Sequence, residues 1–151
     1  MRLIPFEHNL HGVWVREHIQ PVFSEGMRGI MAHRDDGSIA GGVILDCWAP
    51  NSCQVHIGAE TPMVWKHGLH KEIFKYVFKD CDRKFIFGFT QSSNEKAVRF
   101  NEHIGFKEVY RVPDGFADGV DFIIYQLNKA DCKYLEKDNA DNIPAELPAT
   151  A

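Results

Sequence analysis

Apolar positions change their period along this chain, and each change marks an element. MRLIPF at the N-terminus reads as a short strand, and residues 9 to 24 then carry Leu10, Val13, Trp14, Glu17 and His18 at mixed helical spacing before Pro21, which predicts a helix. MRGIMAHR and IAGGVILDCW are β-rich runs joined by Asp35, Asp36 and Gly37, an Asp-Gly hairpin signal. APNS turns the chain into a third such run, SCQVHIGAE. Beyond Thr61 and Pro62 the period lengthens: Leu69, Ile73, Phe74, Val77 and Phe78 recur at helical offsets, so an amphipathic helix is predicted from residue 68 to about 79.

The second half repeats the pattern. KFIFGFT, residues 84 to 90, reads as a buried strand, and Ser92 with Glu95 three places on forms a capping box for a helix carrying Ala97, Phe100, Asn101 and Ile104, which Gly105 ends. FKEVYRV and VDFIIYQL follow as strands around the turn PDGFADG. The order β, α, β, β, β, α, β, α, β, β predicts a mixed α/β domain with a largely antiparallel sheet. In this pattern Phe85, Phe87, Phe89 and Phe100 fall at core positions, while Trp65 sits in a loop, where it stacks on a ligand or caps the core.

Composition narrows the class. With 44% hydrophobic residues in 151, the chain buries a real core and is not intrinsically disordered. The tail from Asp131 onward is poor in large apolar residues and holds Pro144 and Pro148, so residues 1–130 are expected to form one domain and 131–151 a flexible extension. That tail also holds five acids and two bases, which leaves the body nearly neutral despite a net charge of -4 and argues against a nucleic-acid partner. Lys71, Lys75 and Lys79 recur at a spacing of four, as solvated helix faces do. No apolar run reaches the roughly 18 residues of a membrane helix, and residues 1 to 14 lack the regions of a secretory signal, so a cytoplasmic protein without a membrane partner is expected. Cys47, Cys53, Cys81 and Cys132 form no CxxC pair and read as reduced thiols. His8 with His11 and His67 with His70 have metal-ligand spacing but no third ligand, so no metal site is expected.

The element order and the stretch NEKAVRFNEHIGF resemble the GNAT superfamily of acyl-CoA N-acyltransferases, with Asn94, Ala97, Phe100, Gly105 and Phe106 in matching places. Residues 53 to 79 resemble that family's strand, loop and helix that hold coenzyme A, with Pro62 and Gly68 at the matching spacing. The resemblance implies a mixed, mostly antiparallel twisted sheet of six to seven strands flanked by three to four helices. It also implies acetyl-CoA as co-substrate, the amine of a small molecule or peptide as acceptor, and is compatible with a homodimer. Helix N-termini present unsatisfied N–H groups to anions, and Lys66 adds positive charge beside this one.

The cofactor set implied by the resemblance is Gly58, Ala59, Glu60, Trp65, Lys66, His67, Gly68, Leu69, His70 and Asn94. Here Trp65 and His70 replace the family's usual loop residues, so His70 either narrows the site or contacts a phosphate. Gly58 reads as a bulge or close approach in a splayed strand whose backbone pairs with the pantetheine arm, or as a packing glycine.

N-acyl transfer needs a base, a donor to the carbonyl oxygen and a proton for the thiolate. His56 lies on the strand that delivers the family's base, sharing a face with Gln54 and Glu60; the structural alternative is a histidine hydrogen-bonded within a half-buried strand. Glu60 is the second base candidate, and backbone N–H groups around Ala59 and Glu60 are the expected carbonyl donors. Asn101 occupies the place of the family's acidic tyrosine, and an amide donates no proton at this pH, which leaves solvent, Tyr110 or Tyr125 for that role. Two functions follow: an acetyl-CoA-dependent N-acetyltransferase, or a GNAT-like binding protein that has lost cofactor use.

Overall fold

The computed structural model describes residues 1–135. Strand β1 (Arg2–Pro5) leads into helix α1 (His8–His18), then strands β2 (Arg28–His33), β3 (Ile39–Asp46) and β4 (Ser52–Ala59). A short helix α2 (Met63–Lys66) and helix α3 (Leu69–Lys75) follow, with α3 running on into a π-helical turn, Tyr76–Asp80. Strand β5 (Phe85–Gln91), helix α4 (Glu95–Ile104) and strands β6 (Lys107–Ala117) and β7 (Val120–Asn128) complete the domain.

The described strands form one seven-stranded sheet in the order β1-β2-β3-β4-β5-β7-β6. Only β4 and β5 are parallel neighbours; every other neighbouring pair is antiparallel. A parallel pair cannot be joined by a hairpin, so α2 and α3 cross over one face, and α4 crosses over β7 on the same face because such connections share one hand. Beneath them Val43, Leu45, Cys53, Val55 and Ile86 meet Leu69, Ile73, Phe74 and Phe78 in the main core. On the other face α1 seats Val15 against Met31 and Ile44. No helix among the described residues is long and apolar enough to cross a membrane.

Several boundaries differ from the sequence reading, each for a local reason. The first helix ends at His18 rather than continuing to 24, because Gln20 adopts φ 57° and Pro21 disfavours helix in the residue before it. Helix α4 is capped by Asn94, whose Oδ1 accepts from the Ala97 N–H at 3.1 Å, while Ser92 Oγ accepts from the Asp121 N–H across to β7. The expected PDGFADG turn is mostly strand: β6 reaches Ala117 through a register shift after Val112, and the reversal is confined to Asp118 and Gly119, where φ is 75°. Phe85, Phe87 and Phe89 leave the core to Ile86 and Gly88, since alternation puts them on the opposite face.

The domain also runs past residue 130. Cys132 is buried, and Tyr134 and Leu135 pack on the main core, with the Tyr134 ring 4.6 Å from His70 and 5.8 Å from Phe74. The expected flexibility of the extension falls mainly on residues 136–151, which lie outside the described residues.

A histidine pair ties α1 to β2. His11 Nδ1 accepts from the Glu7 N–H at 2.8 Å, so its Nε2 carries the proton and donates to His33 Nε2 at 3.0 Å. Both side chains are buried, and a further proton would set two N–H donors against each other. Burial, then the neighbouring His33, holds His11 below its ordinary value of 6.5. The unfolded chain therefore takes up this proton before the folded chain does. Stability is expected to be complete above about pH 6.5 and to fall as the pH drops below it, until folded His11 itself titrates. Denaturant midpoints at pH 7.5 and 5.0 check this, and His11→Gln should flatten the difference; equal slopes would remove His11 as its source.

Candidate active site between the splayed strands

The parallel pair opens at its end. Pairing between β4 and β5 stops at Val55 and Gly88, while β4 continues to Ala59 against β3 and β5 continues to Gln91 against β7. The Glu60 N–H donates to the Ala40 carbonyl at 2.9 Å, so strand alternation turns the backbone groups of His56 and Gly58 toward β3 and those of Ile57 and Ala59 into the gap. Of the N–H groups expected around Ala59 and Glu60, that of Glu60 is spent on the sheet, while those of Ala59 and Ile57 face the gap. The gap widens into a cleft of about 810 Å³ lined by His56, Trp65, Thr90, Asn94, Phe100 and Asn101, among others.

His56 stands beside the opening with a buried partner. Its Nε2 lies 2.8 Å from Asp46 Oδ1, with the His56 side chain 24% exposed and that of Asp46 only 8%. Asp46 is opposite Gln54 in the register and so diagonal to His56 on the same face. A neutral imidazole donating Nε2–H to that carboxylate keeps its lone pair on Nδ1. Asp46 was not legible as a site residue, because the diagonal contact exists only once the β3–β4 register is known.

Glu60 lines the cleft but is already committed. Its carboxylate accepts from Arg34 Nη2 at 3.0 Å and from Trp14 Nε1 at 3.2 Å, and His18 Nε2 lies at 3.3 Å. The Arg34 hydrogen bond, and then that of Trp14, hold the carboxyl below the usual range. Glu60 is thus a brace from β4 to α1 and to the β2–β3 hairpin, and its carboxylate, expected as the second base candidate, is engaged by these partners.

Of the residues the resemblance implied for the cofactor, Ala59, Glu60, Trp65 and Asn94 line the cleft and the others do not. Gly58 is a packing glycine: a Cβ there would meet Ile19 Cγ1 at 2.6 Å, where the end of α1 crosses β4, and the β3–β4 register shows no bulge beside it. Lys66 and His67 are exposed on α2 and the turn after it, and His67 borders a second hollow with Arg34 and Asp35. Gly68 takes φ 84° ahead of α3, with open space where its Cβ would be. Leu69 is fully buried, and its side chain belongs to the main core. The His70 imidazole turns inward among Trp65, Phe74 and Tyr134, and burial lowers its pKa; it does not reach out toward a phosphate. The Glu72 N–H bonds Gly68 O, leaving the N–H groups of residues 69 to 71 as the helix's N-terminal donors.

On the α4 side, Asn101 Nδ2 donates to Thr90 Oγ1 at 3.0 Å, joining helix to strand within the cleft. Neither tyrosine reaches it. Tyr125 is buried in the core with its hydroxyl unpartnered and its pKa raised by burial, and Tyr110 is 63% exposed on β6. Trp65 leans on Phe100 with ring centres 4.4 Å apart, so it both lines the cleft and caps the core.

No family model and no curated relative matches this sequence. Solved structures do. A chimera of spermidine N-acetyltransferase SpeG from Vibrio cholerae and hSSAT superposes with a TM-score of 0.66 at 18% identity, covering 90% of this chain and 100% of that one. The smu.2055 protein of Streptococcus mutans UA159 gives 0.70 at 19% identity, covering 85% of this chain and 99% of that one. Campylobacter jejuni N-acetyltransferase PseH, solved in complex with acetyl coenzyme A, gives 0.57 at 19% identity and covers 70% of each chain. The chain has the GNAT fold, the fold of the SpeG and PseH N-acetyltransferases.

Proposed function

We propose that this protein is an acetyl-CoA-dependent N-acetyltransferase that acts on the amine of a small molecule or peptide. The observation that carries the reading is the splayed β4–β5 gap, with strand N–H groups facing into it and a His56–Asp46 pair at its edge. An extended pantetheine arm fits such a gap as an added strand fits a sheet edge. The related fold of PseH, solved with acetyl coenzyme A, supports the same co-substrate.

Acetyl-CoA supplies a thioester carbon open to attack by an amine. His56 Nδ1 takes the amine's proton, and buried Asp46 holds the imidazole in the tautomer this requires. Ile57 and Ala59 offer backbone N–H donors where the carbonyl oxygen gains charge. Asn101 and Thr90 present a polar pair on the opposite wall, and Thr90 keeps its hydroxyl proton for a sulfur. The departing thiolate is reprotonated by solvent, since an ordinary thiol with a pKa of about 8.5 is mostly neutral at pH 7.

The test is a thermal-shift titration with acetyl-CoA against free adenosine. At 100 times its dissociation constant a ligand of the folded state stabilises by about 2.7 kcal/mol. A saturable shift with acetyl-CoA and none with adenosine is expected; no shift at millimolar acetyl-CoA would leave the protein as a GNAT-like binding protein without cofactor use.

A further inference from the structure

Helix α1 covers the sheet face over β1 to β3 and crosses the end of β4, while the same face of β5, β7 and β6 carries apolar side chains with none of the described helices over them. Three of these form a continuous row. Phe89 lines the cleft and is 43% exposed; its ring lies 5.6 Å from Phe122, which lies 6.2 Å from Phe116, itself 52% exposed on the hairpin. Val112 pairs with Phe122 and Tyr110 with Ile124, so both add to the same face. A contiguous apolar surface that begins inside a polar cleft marks a binding wall more readily than a spare patch of surface.

Charge says what that wall receives. Arg111 faces away from the row and binds Glu108 at 2.6 Å and Asp121 at 3.3 Å, while Lys107 at the start of β6 is the one charged residue of β5, β6 and β7 whose register puts it on the row's face. Among the described residues the cleft is lined by two carboxylates, Glu17 and Glu60, and one lysine, Lys96; Glu60 is committed to Arg34, which leaves Glu17 on α1 to receive one ammonium group. A polycation would need a row of carboxylates, and the row here is of rings.

We propose that the acceptor is a monoamine borne on an apolar aryl or alkyl body, which lies along Phe89, Phe122 and Phe116 while its amine points back to His56. This inference rests on the transferase reading above. In the reaction the thioester C–S bond breaks, an amide C–N bond forms, the amine's proton passes to His56 and the thiolate takes a proton from solvent. The rings contribute binding of the body and no chemistry, so their loss should appear in KM rather than kcat.

The experiment compares 4-phenylbutylamine and n-octylamine with putrescine and ethanolamine as acceptors, for the wild type and for Phe122→Ser and Phe116→Ser. The apolar amines are expected to show kcat/KM at least about tenfold above the others, and each variant should raise their KM about tenfold at little-changed kcat, so that the preference over ethanolamine is lost. Preference for putrescine, or turnover of none of the four by protein that gives the acetyl-CoA thermal shift, overturns the proposal. Sedimentation is run in parallel: a wild-type dimer that becomes monomeric in the serine variants would make the ring row a self-interface and overturn it too. If acetyl-CoA does not bind, the transferase reading has failed by itself. Direct calorimetric binding of 4-phenylbutylamine, present in the wild type and lost in Phe122→Ser, then decides whether the wall takes apolar amines.

Discussion

Replacing His56 with alanine is expected to lower kcat by about 10² to 10⁴, the range a positioned general base contributes, while acetyl-CoA binding changes by less than about twofold. The size follows from the placement of the imidazole. Asp46, with a side chain 8% exposed, fixes Nε2 at 2.8 Å, and Nδ1 is the atom left to accept a proton. Alanine removes that acceptor and also leaves a buried carboxylate without its donor, at a cost of about 1–3 kcal/mol in stability. The assay therefore belongs well below the variant's melting temperature. Two further readouts separate catalysis from loss of folding. Added imidazole should restore part of the rate to His56→Ala, and Asp46→Asn, which keeps an acceptor oxygen for Nε2–H, should lose less activity than Asp46→Ala. A His56→Ala protein that acetylates at the wild-type rate would take His56 out of the mechanism and leave it a hydrogen-bonded strand residue.

The largest stability effect is expected at a position that the resemblance assigned to the cofactor. Leu69→Ala should lower the unfolding free energy by about 2–5 kcal/mol, the range for emptying a buried leucine site. Leu69 is fully buried and belongs to the cluster that contains Val64, Ile73, Phe74 and Ile104. Its side chain holds the start of α3 against the sheet, and a cavity there has little freedom to collapse because His70 and Phe74 of α3 pack on Trp65, Phe106 and Tyr134 from other elements. Urea unfolding at fixed pH measures the loss. Acetyl-CoA affinity, measured on the folded variant at low temperature, should stay within about twofold of wild type, because alanine preserves the backbone N–H. Tenfold weaker binding with unchanged unfolding would instead make Leu69 a ligand contact.

Much of the architecture was legible because it follows from period and punctuation. The β-rich runs around Asp36-Gly37 became the β2–β3 hairpin, and the helical recurrence from Leu69 to Phe78 became α3 and its π-helical turn. Gly105 ends α4 in the left-handed conformation that makes glycine the usual stop. Misreadings arose where two local signals competed. Ser92 and Asn94 both precede α4, and the backbone of β7 takes the Ser92 hydroxyl, leaving Asn94 to cap the helix. Tyr134 and Leu135 lie in a stretch poor in apolar residues, yet they close the core over His70 and Phe74.

What the sequence by itself determined is the set of elements, their order and the strand that carries His56, because helix and strand periods are properties of neighbouring residues. What only the tertiary structure decided is which side chains meet. Asp46 reaches His56 through the β3–β4 register, and Glu60 is drawn to Arg34 and Trp14 from two other elements. The free N–H groups of Ile57 and Ala59 exist because β4 and β5 part after Val55, and the row from Phe89 to Phe116 is assembled from three strands. Each is a contact between residues distant in the chain, and such contacts are set by strand register and crossover hand, which no local pattern encodes.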